Sequence, residues 1–407
     1  MEYRTYNPER DKDAVHRIWK ETGWIEGDDY ESMDLILEHH RVIVADVNDR
    51  AECLVESVQA DIDYLSRRLP LSVISSVTTS LVARKSKLAL RLTAQRLALD
   101  AADSAAVSAL GVFDQGFYNK LGFGNGCYVI RHRFSPSLLR IDVTPRVPLR
   151  LGKEDWERIH RARLKRMRGH GSVSIFSPFF TRAELMEKTS FGLGYQDDGG
   201  ELTHLLWMEG LGKDYGPFRI NMMVYRTWDQ FRELLALVGS FGDQINLVRI
   251  FEPPGVQLQD FLERPFFIRR ITEKSQSENN CWAESFFQWR ILDLQKCLTE
   301  IHLPGKPVRF NLRLTDPVVK YLDSGTPWRG VGGEYTVTLG EECSVGAGEE
   351  KSLPTLECSV NAFTRLWLGI LTAEGLSVSD DFRAPEGLIR RLDNLLRLPA
   401  PQPNWMF

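Results

Sequence analysis

Two stretches constrain the fold of this chain more than any others: residues 73–98 and the octapeptide Phe117-Tyr118-Asn119-Lys120-Leu121-Gly122-Phe123-Gly124. The first reads as a strand, a basic turn and then a strong helix over 84–100. In that helix Leu88, Leu92, Gln95 and Leu99 share one face, as do Leu90, Ala94 and Leu97. The octapeptide reads as a short helix that stops at Gly122 and passes into a strand near Phe123. Strands and helices in this order predict a mixed α/β sheet.

The flanking pattern agrees. A helix is expected over 11–21, with Val15, Ile18 and Trp19 at helical spacing, and strands over 42–47, 51–59, 107–113 and 128–134. Pro136, Pro145 and Pro148 mark a linker. A second α/β unit follows, with helices over 154–167, 181–188 and 228–241 and strands over 202–209, 218–225 and 244–250. It repeats the coarse plan of the first unit without its motifs. Residues 273–280 are polar and read as a boundary. Beyond it come a helix over 291–300, strands over 307–315 and 333–339, and helices over 360–371 and 384–396. The tail, 401–407, is proline-spaced, extended and apolar at its tip. The division expected is 1–140, 148–275 and 285–407.

Bulk properties exclude several classes. The 407 residues carry a net charge of −4, so there is no global attraction to nucleic acid or anionic membrane. The six cysteines are scattered, with no C-x-x-C pair and no histidine cluster beside them. They read as reduced thiols of a cytoplasmic protein rather than as metal ligands. The N-terminus is too charged for a signal peptide, and no apolar run reaches the ~18 residues of a membrane span. The basic run Arg161, Arg163, Lys165, Arg166, Arg168 reads as a solvated helix face, and His39-His40 as a surface pair at a helix end.

The basic turn has a chemical use. A pyrophosphate is bound by orphan amides at a helix N-terminus, where the helix dipole favours an anion. The turn Arg84-Lys85-Ser86-Lys87-Leu88-Ala89 resembles the pattern Arg/Gln-x-x-Gly-x-Gly/Ala of the GCN5-related N-acetyltransferases (GNAT). Arg84 and Ala89 fit, and Lys87 stands where the family has its first glycine. Together with the octapeptide at the family's spacing, the resemblance implies acetyl-CoA as co-substrate, held by Arg84, Lys85, Ser86, Lys87, Leu88 and Ala89. It also implies that Val77 and Thr79 offer backbone groups to the pantetheine arm. Tyr118 would then protonate the departing thiolate, a role a phenol with an ordinary pKa near ~10 can fill.

The whole layout is similar to the enhanced intracellular survival (Eis) branch of that superfamily, and Trp289-Arg290-Ile291-Leu292-Asp293 matches the start of its third domain. The resemblance implies an α/β (α+β) chain: two tandem GNAT-like mixed-sheet domains, then a sterol-carrier-protein-like α+β domain. It implies acetylation of a small-molecule or peptide amine, no metal, no nucleic acid and no membrane, and a homo-oligomer, a hexamer in the family. The carboxylate of Phe407 would be the general base. Trp24, Glu26 and Asp28 would shape an acidic, aromatic acceptor site, although the same segment also reads as a polar loop. The alternative is a catalytically impaired module that binds a lipid or a partner protein.

Overall fold

Residues Arg50–Tyr64 (β3) and Arg67–Thr79 (β4) pair as a long antiparallel hairpin, and β3 is buried on both faces along most of its length. A strand apolar on both faces must be covered on both. In the computed structural model, which describes residues 2–25, 27, 29–211, 215–275 and 278–407, helices supply that cover. Pro8–Glu21 (α1) and Glu31–His39 (α2) lie on one side, where Val15, Ile18 and Trp19 pack on Val42, Val44 and Leu54. Leu88–Ala102 (α3) lies on the other, where Leu88, Leu92 and Leu97 pack on Ile43, Cys53, Val55 and Ile74. Asn7 starts α1: its side chain accepts from the Glu9 and Arg10 amides, and Pro8 follows at the first helical position.

Glu2–Thr5 (β1) and Arg41–Val47 (β2) extend the hairpin beside β3, and Val107–Gly111 (β5) extends it beside β4. The sheet does not pass directly from β5 to Gly124–Asn125 (β6). The strand Phe287–Ile291 lies between them, antiparallel to both. This corrects the expectation of a helix from residue 291: the helix is Leu294–Thr299, and the preceding segment is a fully buried strand. Beyond Ser57, the last β3 residue paired with β2, the edge of β3 takes Val173–Ile175, with Ala60 opposite Ile175 and Ile62 opposite Val173.

The chain divides into two compact units, Met1–Cys127 with Gly169–Phe176 and Ser285–Phe407, and Tyr128–Arg168 with Ser177–Glu284. The first unit also holds a five-stranded sheet built around the parallel pair Val308–Thr315 and Thr355–Ser359, with helices Val360–Trp367, Ala373–Ser379 and Glu386–Leu395. The second unit is a seven-stranded mixed sheet. In it Phe218–Val224, the helix Trp228–Gly239 and Val248–Phe251 repeat the strand, helix and parallel strand of β4, α3 and β5. Val129–Phe134 belongs to this second sheet, between Val248–Phe251 and Asn280–Glu284.

Two surface expectations are corrected. The His40 side chain is buried, with Nδ1 2.5 Å from Glu56 Oε1. In the basic run, Arg163 and Arg166 are buried. Arg163 pairs with Glu184 and donates to Thr181 Oγ1 at 2.9 Å, because the helix Trp156–Leu164 packs that face on Pro178–Glu184.

The C-terminal tail is docked. Gln402 N donates to His170 O at 3.2 Å, Val173 N donates to Pro403 O at 2.9 Å, and Trp405 is buried. Gly171 makes room for this path: its φ is +80°, and a Cβ there would lie 2.4 Å from the Pro401 Cβ. Gly171→Ala is therefore expected to cost roughly 1–3 kcal/mol through backbone strain and the clash. It should also expose the tail to limited proteolysis. Urea unfolding with a protease time course reads both effects, and unchanged stability with a protected tail would contradict this packing.

Candidate active site

β4 and β5 run in parallel only from Leu71 opposite Val107 to Ile74 opposite Leu110. β4 continues to Thr79 along β3, with Thr78 opposite Leu54 and Thr79 opposite Cys53. Residues 75–79 therefore have no β5 partner, and their outward backbone groups face the gap where the two strands part. The register with β3 shifts between Leu54 and Glu56, and Ser76 at that bulge has φ +52°. A buried side-chain chain holds the bulge: Ser76 Oγ donates to Glu56 Oε2 at 2.5 Å, and the other Glu56 oxygen meets His40. Trp19 Nε1 donates to Thr78 Oγ1 at 3.2 Å, tying α1 to the same strand end.

The turn after β4 delivers the start of α3 to this gap. Lys85 and Lys87 both adopt left-handed backbone, φ +62° and +64°. Lys87 thus keeps the conformation that glycine adopts freely, at a cost of roughly 1–2 kcal/mol for a side chain with a Cβ. It is the N-cap residue of α3, and no side chain caps the helix. The first-turn amides of α3 are left for a ligand. The second unit differs at the matching point. Tyr225, Arg226 and Thr227 alone join strand to helix there, and the Thr227 side chain accepts from Gln230 N at 3.3 Å.

Between these elements lies a cleft of about 530 Å³. Val77, Thr79, Arg84, Lys85, Lys87, Leu88 and Ala89 all line it. Ser86 does not, and its hydroxyl instead donates to Ala83 O within the turn. Trp24 lines the same cleft, whereas Glu26 and Asp28 lie outside the described residues. Sequence reasoning missed Glu21, Leu81, Phe113 and Phe117, which also line it, as do Thr22, Thr78, Ala83 and Leu90. The available signal was the run of large apolar residues just beyond the ends of β4 and β5, at positions where a surface loop would carry polar ones. Leu81 and Phe113 are exposed there.

The octapeptide forms a single 3-10 turn, Tyr118–Leu121, ended by Gly122 at φ +86°. Tyr118 is 7% exposed and packs edge-on against Phe117, with ring centroids 4.9 Å apart. Burial pushes its phenol pKa well up, with Cys53 and Asp114 adding to the effect, so the hydroxyl keeps its proton at neutral pH. Phe117 lines the cleft and Tyr118 lies behind it.

Phe407 lies at the mouth of the gap. Its ring is 4.7 Å from Phe287 and 6.4 Å from Trp289, centroid to centroid. Gly111 is the first β5 residue past the pairing with β4, and a Cβ on it would lie 2.6 Å from a Phe407 main-chain oxygen and 2.9 Å from the Phe286 ring. Among the described residues, no group of three or more His, Cys, Asp or Glu could hold a metal ion. Among them too, no helix is long and apolar enough to cross a membrane.

Residues 2–126 match the acetyltransferase (GNAT) domain family. The matched stretch holds β1 to β6, the basic turn and Tyr118. No curated protein matches the chain. Solved structures share the fold over its whole length. A probable N-acyltransferase of unknown function from Enterococcus faecalis superposes with TM-score 0.80 at 18% identity, covering 100% of this chain and 99% of that one. A GCN5-related N-acetyltransferase from Anabaena variabilis gives 0.78 at 16%, covering 100% of both. Eis1 from Mycobacterium abscessus gives 0.77 at 14%, also covering 100% of both.

Because Lys87 keeps glycine's backbone, Lys87→Gly should stabilise the protein by roughly 0.5–1 kcal/mol. Thermal unfolding checks this, and a variant that is no more stable would refute the backbone role.

Proposed function

We propose that this protein transfers an acetyl group from acetyl-CoA to a primary amine by direct attack. The observation that carries the proposal is the gap between β4 and β5, which leads to an uncapped helix N-terminus inside the stretch that matches the acetyltransferase domain family. The residues fit the co-substrate. The α3 amides and the left-handed turn suit a pyrophosphate, and Arg84, Lys85 and Lys87 add positive charge along the cleft. The unpaired edge of β4 at Val77 and Thr79 suits an amide-bearing pantetheine arm added like a strand. The left-handed, glycine-like backbone at Lys87 favours this reading over a binding module that has lost its co-substrate.

Acetyl-CoA supplies an activated thioester. The chain's own residues do the rest. A backbone N–H from the bulged end of β4 points into the gap and polarises the thioester oxygen. The carboxylate of Phe407 takes a proton from the incoming ammonium, freeing the nitrogen lone pair. As the nitrogen bonds to the acetyl carbon and the C–S bond breaks, the Tyr118 hydroxyl gives its proton to the departing sulfur, and the second proton lost by the acylated nitrogen restores the phenol. The acceptor is a cation such as a polyamine, an aminoglycoside or a lysine side chain, entering beside Trp24.

Incubation with acetyl-CoA and each of these three amine classes, with free thiol followed, tests the assignment. CoA release with at least one amine is expected, and neither release nor CoA binding would end it. Tyr118→Phe should lower kcat by roughly 10²-fold, about 2.7 kcal/mol of barrier, with CoA affinity nearly unchanged. Gly111→Ala, which forces the Phe407 carboxyl aside, and residues appended after Phe407 should each lower kcat in the same way. Full turnover by either protein would remove the terminal carboxylate from the mechanism.

A further inference from the structure

A single 3-10 turn of four residues cannot hold its own geometry, since one turn fixes several dihedrals in exchange for very few hydrogen bonds. The Asn119 side chain braces the turn bearing Tyr118 from within, accepting from Gly116 N and donating to Phe123 O, and the turn is held from outside as well. Asn361, at the start of the helix Val360–Trp367, donates its side-chain amide to Asn119 O at 3.0 Å and to Phe123 O at 2.7 Å. Arg290, fully buried, donates one guanidinium nitrogen to Leu121 O and another to Asp316 Oδ2, the latter at 2.6 Å. Gln288 Nε2 reaches Asn125 Oδ1 at 2.6 Å and Asn119 Oδ1 at 3.3 Å.

The two glycines of the turn show how close this approach is. A Cβ at Gly122 would lie 2.7 Å from Val360 Cγ1 and 2.9 Å from an Arg290 nitrogen. One at Gly124 would lie 2.5 Å from Asn361 O. The carbonyls of Asn119, Leu121 and Phe123, all just C-terminal to Tyr118, thus each accept from a donor that comes from beyond residue 285.

We propose that Asn361 and Arg290 are positioning residues for acyl transfer, holding the Tyr118 hydroxyl where the departing sulfur needs it. The proposal rests on the reading of Tyr118 as the acid. It makes the C-terminal region a working part of the active site rather than an appendage. Arg290 divides its donors between Asp316 and the turn, so the position of the acid is set by the same buried ion pair that anchors the loop after Val308–Thr315.

A double-mutant cycle tests this. Asn361→Ala and Arg290→Lys are each made in the native protein and in Tyr118→Phe, and kcat and KM for acetyl-CoA are measured with the best amine of the three classes. Lys at 290 keeps a charge for Asp316 but lacks the second fork that reaches Leu121 O. Each single substitution should lower kcat by about tenfold with KM for acetyl-CoA changed less than about twofold, the signature of a displaced acid. In the Tyr118→Phe background each should cost less than about twofold more, because the group it positions is already gone.

Equal factors in both backgrounds, or a rise in KM as large as the fall in kcat, would show a general structural role and overturn the proposal. If Asn361→Ala fails to fold, Arg290→Lys carries the same reading alone. If Tyr118→Phe itself has no effect, or no amine of the three is acetylated, the acid assignment fails and the positioning proposal goes with it. If Tyr118→Phe is impaired while the second substitutions stay additive, only the positioning proposal is lost.

Discussion

The strand Phe287–Ile291 is the interaction on which the rest of the first unit depends. It hydrogen-bonds to β5 along one edge and to β6 along the other, so the end of the acetyltransferase-like sheet closes through residues distant in sequence. Successive side chains of a strand point to opposite faces. Phe287 and Trp289 meet Phe407 on one face. Gln288 and Arg290 reach the Tyr118 turn and Asp316 on the other. One five-residue strand thus places the proposed base and the proposed acid from its two sides. It also explains why large, polar or charged side chains such as Gln288 and Arg290 are fully buried there: their partners are the backbone carbonyl, side-chain amide oxygens and carboxylate of the turn and its flank.

The cleft follows a second constraint, the short overlap of β4 and β5. Four paired positions bring the strands together, and the bulge at Ser76 then turns the end of β4 away. Left-handed backbone at Lys85 and Lys87 costs roughly 1–2 kcal/mol each. Charge-assisted hydrogen bonds from helix amides to a phosphate contribute roughly 1.5–3 kcal/mol apiece, so a bound pyrophosphate offsets that strain. Without such a ligand the strain at Lys85 and Lys87 stays in the protein. The second unit has the same strand and helix order but a self-capped helix after a short turn. It keeps the scaffold without the uncapped helix start of α3.

Much of this was legible in the sequence, for identifiable reasons. The β3 and β4 strands, α3 and the octapeptide carry strong local signals: a long β-branched run, a two-faced leucine helix and a glycine stop. The residues of the basic turn followed from the resemblance of their order to a family pattern, and all but Ser86 line the cleft. What was not legible is non-local. No strand is legible at Phe287–Ile291 and a helix is expected from Ile291, because the partners that bury Gln288 and Arg290 are distant in sequence. Val129–Phe134 alternates cleanly, but alternation does not say which sheet a strand joins, and its hydrogen bonds go to the second sheet. His40 and Arg163 read as surface charges because their burial depends on Glu56, Glu184 and Thr181 arriving from other elements.

Hydrogen exchange of the intact protein with and without CoA is the most direct measure of whether the parting of β4 and β5 is the acyl-CoA site. The account predicts slowed exchange at the amides of residues 76–79 and at 85–90, where the unpaired strand edge and the uncapped helix end gain partners, with no change in the helix Trp228–Gly239 of the second unit. Slowed exchange confined to other segments, or none at saturating CoA, would contradict it.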